Sequence, residues 1–150
     1  MISQKKLIAE IYKSASSSSR QSLNTLEKYK NWIIDAHLIR EIESYFLDLF
    51  GQGKMNGTIH TCIGQELSAI SICSKLNEKD WVTSNHRCHG HFISKTNQWR
   101  ELIDELLGLI TGVSKGIGSS QHLYKSGFIS NGTQGSLLPV ASGIAYSKKI

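Results

Sequence analysis

The chain has 150 residues, 39% of them apolar and three of them Trp, which suits one domain with a packed core and excludes wholesale disorder. Its net charge of +5 is unevenly placed: six Lys or Arg face two Glu in residues 1–30, seven face ten acids in 31–105, and four Lys face no acid in 106–150. No apolar run approaches a membrane span and no charged-then-apolar leader opens the sequence, so a cytoplasmic protein without membrane contact is expected.

In chain order, Ser14 to Ser22 is low-complexity, and residues 1–23 read as a flexible or weakly ordered arm. Asn24 with Glu27 has the form of a capping box. A long helix is expected behind it, because Leu26, Tyr29, Ile33, Ala36, Ile42, Phe46 and Leu49 recur at helical spacings up to Gly51-Gln52-Gly53. A glycine-bounded loop carries Gly57-Thr58-Ile59-His60-Thr61-Cys62, and Gly64-Gln65-Glu66 opens a second helix, Leu67 to Leu76, with Cys73 on its apolar face. Asp80 to Ser84 reads as a short strand. Thr96 or Asn97 is expected to cap a helix through Leu107, two glycine-rich stretches follow (108–120 and 127–135), and Ser136 is expected to cap a last helix. Pro139 falls in that helix's first turn, where its missing N–H is harmless.

The densest chemistry lies in Asn85-His86-Arg87-Cys88-His89-Gly90-His91, placed at the end of the expected strand, where α/β proteins bind ligands. Arg is a permanent forked donor for phosphate or carboxylate, and His donates to the same anion or carries a proton near neutrality. A zinc reading competes, through His86, His89 and His91 with Cys62 and Cys88, but the spacing fits no His-Glu-x-x-His or finger pattern. A structural reading, with the imidazoles bonded to backbone, also stands. Three cysteines without a Cys-x-x-Cys pair argue against a disulfide framework. Residues 112–119 have the flavour of a phosphate loop without the spacing of one. The basic excess suits one polyphosphate ligand as well as nucleic acid or plain solvated surface.

Four segments in order, Gly57 to Glu66, Asp80 to Gly90, Lys115 to Tyr124 and Asn131 to Pro139, resemble the alpha subunit of thiamine-diphosphate-dependent 2-oxoacid dehydrogenases, the pyruvate, branched-chain and acetoin dehydrogenase family. The resemblance spans roughly Arg40 to Lys149. It implies an α/β fold, the N-terminal part of a thiamine-diphosphate-binding domain over 24–150, with a parallel sheet flanked by helices. The family's diphosphate-holding Tyr-Arg pair falls on His86 and Arg87, its active-site histidine falls on His60, and Gly132 and Gln134 match positions on the aminopyrimidine side. His86 stands where the family has Tyr, and Gln134 where it is usually apolar.

The implied reaction is oxidative decarboxylation of a 2-oxoacid with acyl transfer to a lipoyl group. The implied cofactor is thiamine diphosphate with Mg2+, whose Gly-Asp-Gly and Asn motif does not occur in this sequence, so no metal ligand is assigned. Implied partners are a beta subunit or fused beta-like half and a lipoyl-bearing acyltransferase, in a homo- or hetero-oligomer, with no nucleic acid. The chain is expected to be a truncated form and inactive alone. Two rivals remain: a non-catalytic assembly or binding module that keeps part of the fold, and a non-oxidative transketolase-like or acetoin-cleaving enzyme.

Overall fold

The computed structural model describes residues 24, 25, 27–55 and 57–150, so the expected arm at 1–23 lies outside the described residues. The division into compact units falls between Ile34 and Asp35. Ahead of it, the Tyr29 ring tilts against Trp32 at 5.1 Å with the Lys28 ammonium over its face.

Helix α1 (Lys30–Gly51) buries Ile39, Ile42, Phe46 and Leu49, whose spacings of three and four form one stripe. Glu43 lies in that stripe and is fully buried. Helix α2 (Glu66–Cys73) buries Ala69, Ile70 and Cys73, and its first residue pairs with Arg40 of α1 at 2.5 Å. Strand β1 (Val82–Ser84) is shorter than the sequence suggests. His89, Gly90 and His91 then open a helix that sequence periodicity did not reveal, α3 (His89–Thr96).

The expected helix through Leu107 is present as α4 (Trp99–Leu106), but neither Thr96 nor Asn97 caps it: Thr96 ends α3, Asn97 closes α3 in the left-handed conformation (φ 56°), and Gln98 stands at the start of α4 without a side-chain cap bond. Two further strands, β2 (Tyr124–Lys125) and β3 (Phe128–Ser130), form a hairpin that the sequence did not signal, with β3 inside the glycine-rich stretch 127–135. Gly127 takes φ +83° in its turn. Helix α5 (Leu137–Lys149) begins after Ser136 as expected, but the Ser136 hydroxyl makes no cap bond and donates to the Thr133 carbonyl at 2.7 Å instead.

The fold is α/β, with a mixed three-stranded sheet in the order β1-β3-β2. β1 pairs with β3 in parallel, Val82 opposite Phe128 and Ser84 opposite Ser130. β2 pairs with β3 antiparallel, Tyr124 opposite Ile129, so only part of the expected parallel arrangement is present. Helix α3 packs on α2, on α4 and on the β1–β3 pair. Its Phe92 meets Phe128 of β3 edge-on at 5.2 Å, both fully buried. Among the described residues, no helix is long and apolar enough to cross a membrane.

Candidate functional site

Three segments far apart in sequence meet at the end of β1. The first is the loop bearing Thr58, His60 and Thr61. It is held by Cys62, whose N–H and thiol both donate to Glu43 Oε1, at 3.1 and 3.0 Å. The second is Asn85-His86-Arg87: the Asn85 side chain accepts from the Arg87 N–H at 2.9 Å, and Arg87 Nη1 donates to the Thr61 carbonyl. The third is the stretch from Ser120 to Gly132. Ser120 Oγ donates to the Thr58 carbonyl at 2.6 Å, and Gln121 Nε2 lies 3.1 Å from Thr58 Oγ1 and 2.9 Å from His60 Nδ1.

The expected site residues therefore converge unequally. His60 and His86 face each other edge to face, ring centroids 5.0 Å apart. Arg87 joins the same loop through Thr61. Gly132 reaches the group through Gln121, because a Cβ there would lie 1.9 Å from Gln121 Oε1. Gln134 is exposed, and no hydrogen bond ties it to the cluster. A cleft of about 360 Å3 lined by Thr83, Asn85, Thr133, Gly135, Leu137 and Leu138 opens between the end of β1 and the start of α5, beside these positions.

Beneath the cluster lies a dry polar support. His89 Nδ1 sits 3.0 and 3.1 Å from the two Glu43 oxygens, and its Nε2 sits 2.9 Å from the Ser120 carbonyl. Both side chains have no exposure. Acceptors on both ring nitrogens suit the doubly protonated imidazole, a cation paired with the Glu43 carboxylate. Burial works against ionised Glu43, but the His89 and Cys62 hydrogen bonds outweigh it and hold the carboxyl below its ordinary range. The pair pins the loop at 57–62, the start of α3 and Ser120 to helix α1.

The three histidines of the densest segment point three ways: His86 to His60, His89 to Glu43, and His91 Nδ1 to Ser84 Oγ at 3.0 Å. Among the described residues, no three His, Cys, Asp or Glu side chains gather as a metal site. The thiols are buried and remain protonated. Burial, then the Glu43 charge, pushes Cys62 up, and burial pushes Cys88 up to about 12.

What remains chemically active is a neutral base beside a permanent cation. Burial first, then the neighbouring His86, Arg87 and His89, holds His60 below the usual imidazole range. Arg87 is half-buried and makes no ion pair with a carboxylate among the described residues. An anion is thus the natural complement of Arg87, and proton transfer or hydrogen bonding the natural task of His60.

Residues 34–150 match the family described as Dehydrogenase E1 component. The chain belongs to that family. Among curated relatives of this E1 chain, the alpha subunit of the mitochondrial pyruvate dehydrogenase E1 component of Kluyveromyces lactis is 35% identical over 125 residues, 83% of this chain and 29% of the relative. The alpha subunit of the Bacillus subtilis acetoin:2,6-dichlorophenolindophenol oxidoreductase is 35% identical over 134 residues, 87% of this chain and 40% of the relative. The Rickettsia prowazekii pyruvate dehydrogenase E1 alpha subunit is 33% identical over 128 residues, 82% of this chain and 39% of the relative. The chain thus spans about a third of the length of the relatives it matches.

Three residues of the E1 chain's site escaped the sequence reading. Glu43 left one signal, a lone carboxylate between Ile42 and Phe46 on an apolar helix face. Glu105 left a similar one beside Leu106. It is buried at the end of α4 and accepts the N–H groups of Ser114, Gly116, Gly118 and Ser119, at 2.6, 3.0, 2.7 and 3.2 Å. Gln121 left none, since its partners lie sixty residues upstream.

Proposed function

We propose that this chain forms a cofactor-anchoring part of the alpha subunit of a thiamine-diphosphate-dependent 2-oxoacid dehydrogenase. The observation that carries the reading is Arg87: a half-buried guanidinium at a strand end, bonded to a carbonyl rather than a carboxylate and set beside His60 and His86. The residues present fit a diphosphate. A guanidinium has five N–H donors, so Arg87 keeps donors beyond the one given to Thr61, and His86 adds another at the next position.

In this reading, Arg87 and His86 hold the diphosphate, and Gly132 and Gln134, flanking Thr133 of the cleft, border the aminopyrimidine side. The cofactor, when bound, supplies the nucleophilic carbon and the electron sink for decarboxylation. His60 holds or moves a proton at the reacting end. Magnesium belongs to the same proposal, with none of its ligands assigned to a described residue. So do the domain assignment for 24–150, a cytoplasmic setting, a beta subunit or fused beta-like half, and the lipoyl-bearing acyltransferase that receives the acyl unit. An acetoin-cleaving activity is the second reading, favoured by the Bacillus subtilis relative.

Calorimetric titration of thiamine diphosphate with magnesium, run beside unphosphorylated thiamine, tests the assignment. Binding should depend on the diphosphate, and Arg87→Ala should weaken it by about 2–4 kcal/mol, the loss typical when one partner of a buried charged pair is truncated. Equal affinity for thiamine, an unchanged affinity in Arg87→Ala, or no binding by the wild type would overturn the reading of this cluster.

A further inference from the structure

Gln121 stands between two of the residues assigned above and touches both. Its Nε2 lies 2.9 Å from His60 Nδ1 and 3.1 Å from Thr58 Oγ1, which accounts for the two N–H groups of an amide. Its Oε1 lies over Gly132, where a Cβ would come within 1.9 Å of it and 3.1 Å of the amide carbon. The segment bearing Gln121 is anchored on both sides. Ser120 bonds to Thr58 and accepts from His89, and the Gln121 carbonyl accepts from Ser130 Oγ at 2.9 Å. The amide is thus held by fixed backbone, and the space for its oxygen exists because residue 132 has no side chain.

We propose that Gln121 is a positioning residue for His60: its amide N–H occupies the Nδ1 lone pair, keeps the ring neutral with its proton on Nε2, and requires glycine at 132 for its own placement. This rests on His60 working at the reacting end, as proposed above. The physical logic is direct. A donor on Nδ1 opposes protonation at that atom, so the imidazole meets its ligand as a donor through Nε2 alone. Burial of the ring and the Arg87 guanidinium act in the same direction, whereas Gln121 alone selects the nitrogen. The side chain at 121 therefore decides which proton inventory His60 brings to the site.

Nitrogen-resolved NMR of the histidine rings reads this without ligand or turnover, with His60→Asn supplying the assignment. In the wild type, Nδ1 of His60 should be bare and Nε2 protonated. In Gln121→Leu, the His60 titration should move upward by about half a pH unit or more. Gln121→Glu should move it further and place a proton on Nδ1, since a carboxylate accepts where the amide donates. Gly132→Ala, checked for folding by circular dichroism, should displace the amide and reproduce the Gln121→Leu shift. A wild-type ring protonated on Nδ1, or a His60 titration indifferent to Gln121→Leu, would overturn the proposal. Because cofactor titration is a separate measurement, a failed thiamine diphosphate reading and a failed Gln121 role give different results.

Discussion

Glu43 is a carboxylate without solvent that holds four contacts: two from Cys62 and two from His89. Breaking one side of such a pair leaves an uncompensated buried charge. Glu43→Gln should therefore destabilise the fold by about 3–5 kcal/mol, read by urea denaturation. Its pH signature has a definite sign. The folded-state carboxyl lies below its ordinary range, so in acid the unfolded chain binds the extra proton. The Glu43 contribution is complete above the ordinary carboxylate range and is lost as pH falls through the lowered folded value. Stability of the wild type should fall steeply on acidification, and Glu43→Gln should flatten that slope at this site. Equal slopes in the two proteins would show that the carboxylate is not ionised in the fold.

At the scale of elements, the glycine-rich stretch between α4 and β2 lacks the spacing of a phosphate loop and still gathers an anion. Four of its backbone N–H groups converge on one carboxylate. The anion is the chain's own Glu105. Gly112 closes tightly on it, since a Cβ would lie 2.6 Å from the Glu105 carboxylate. Glu105→Ala strips the acceptor from four N–H groups. A stability loss on the order of 3 kcal/mol is expected, with faster amide exchange at Ser114, Gly116, Gly118 and Ser119. Protection unchanged at those four amides would refute the role. Helix α3 carries a related lesson. Gly90 breaks the propensity pattern, yet it is the residue that lets α3 approach Cys62 and Ala69, whose atoms would sit 3.0 and 3.2 Å from a Cβ. Tertiary packing outweighs the weak local preference.

Across the whole molecule, order is distributed unevenly. Helix α3 buries His89, Gly90, Phe92 and Ile93, while α5 buries none of its thirteen residues and leaves Leu138 and Tyr146 73% and 68% exposed. Few buried contacts mean a low cost of local opening, so amide exchange should be markedly faster through α5 than through α3. Equal protection in the two helices would contradict this. Lys148 reaches the Lys79 carbonyl at 2.9 Å, and that exposed contact should not change the ranking.

Helices α1, α2 and α5, and the strand before the histidine segment, were legible because period is a local property that a few consecutive residues carry. The motifs by themselves also single out His60, His86, Arg87 and Gly132, whose roles are proposals. The two- and three-residue strands β2 and β3 were not legible, because segments so short have no period and exist by pairing, β3 with β1 and β2 with β3. Nor were the partners of Glu43, Glu105 and Gln121. A carboxylate or amide in a sequence announces that it must be satisfied. Which partner satisfies it, here 19, 46 or 61 residues away, is set only when loop closure brings those segments together.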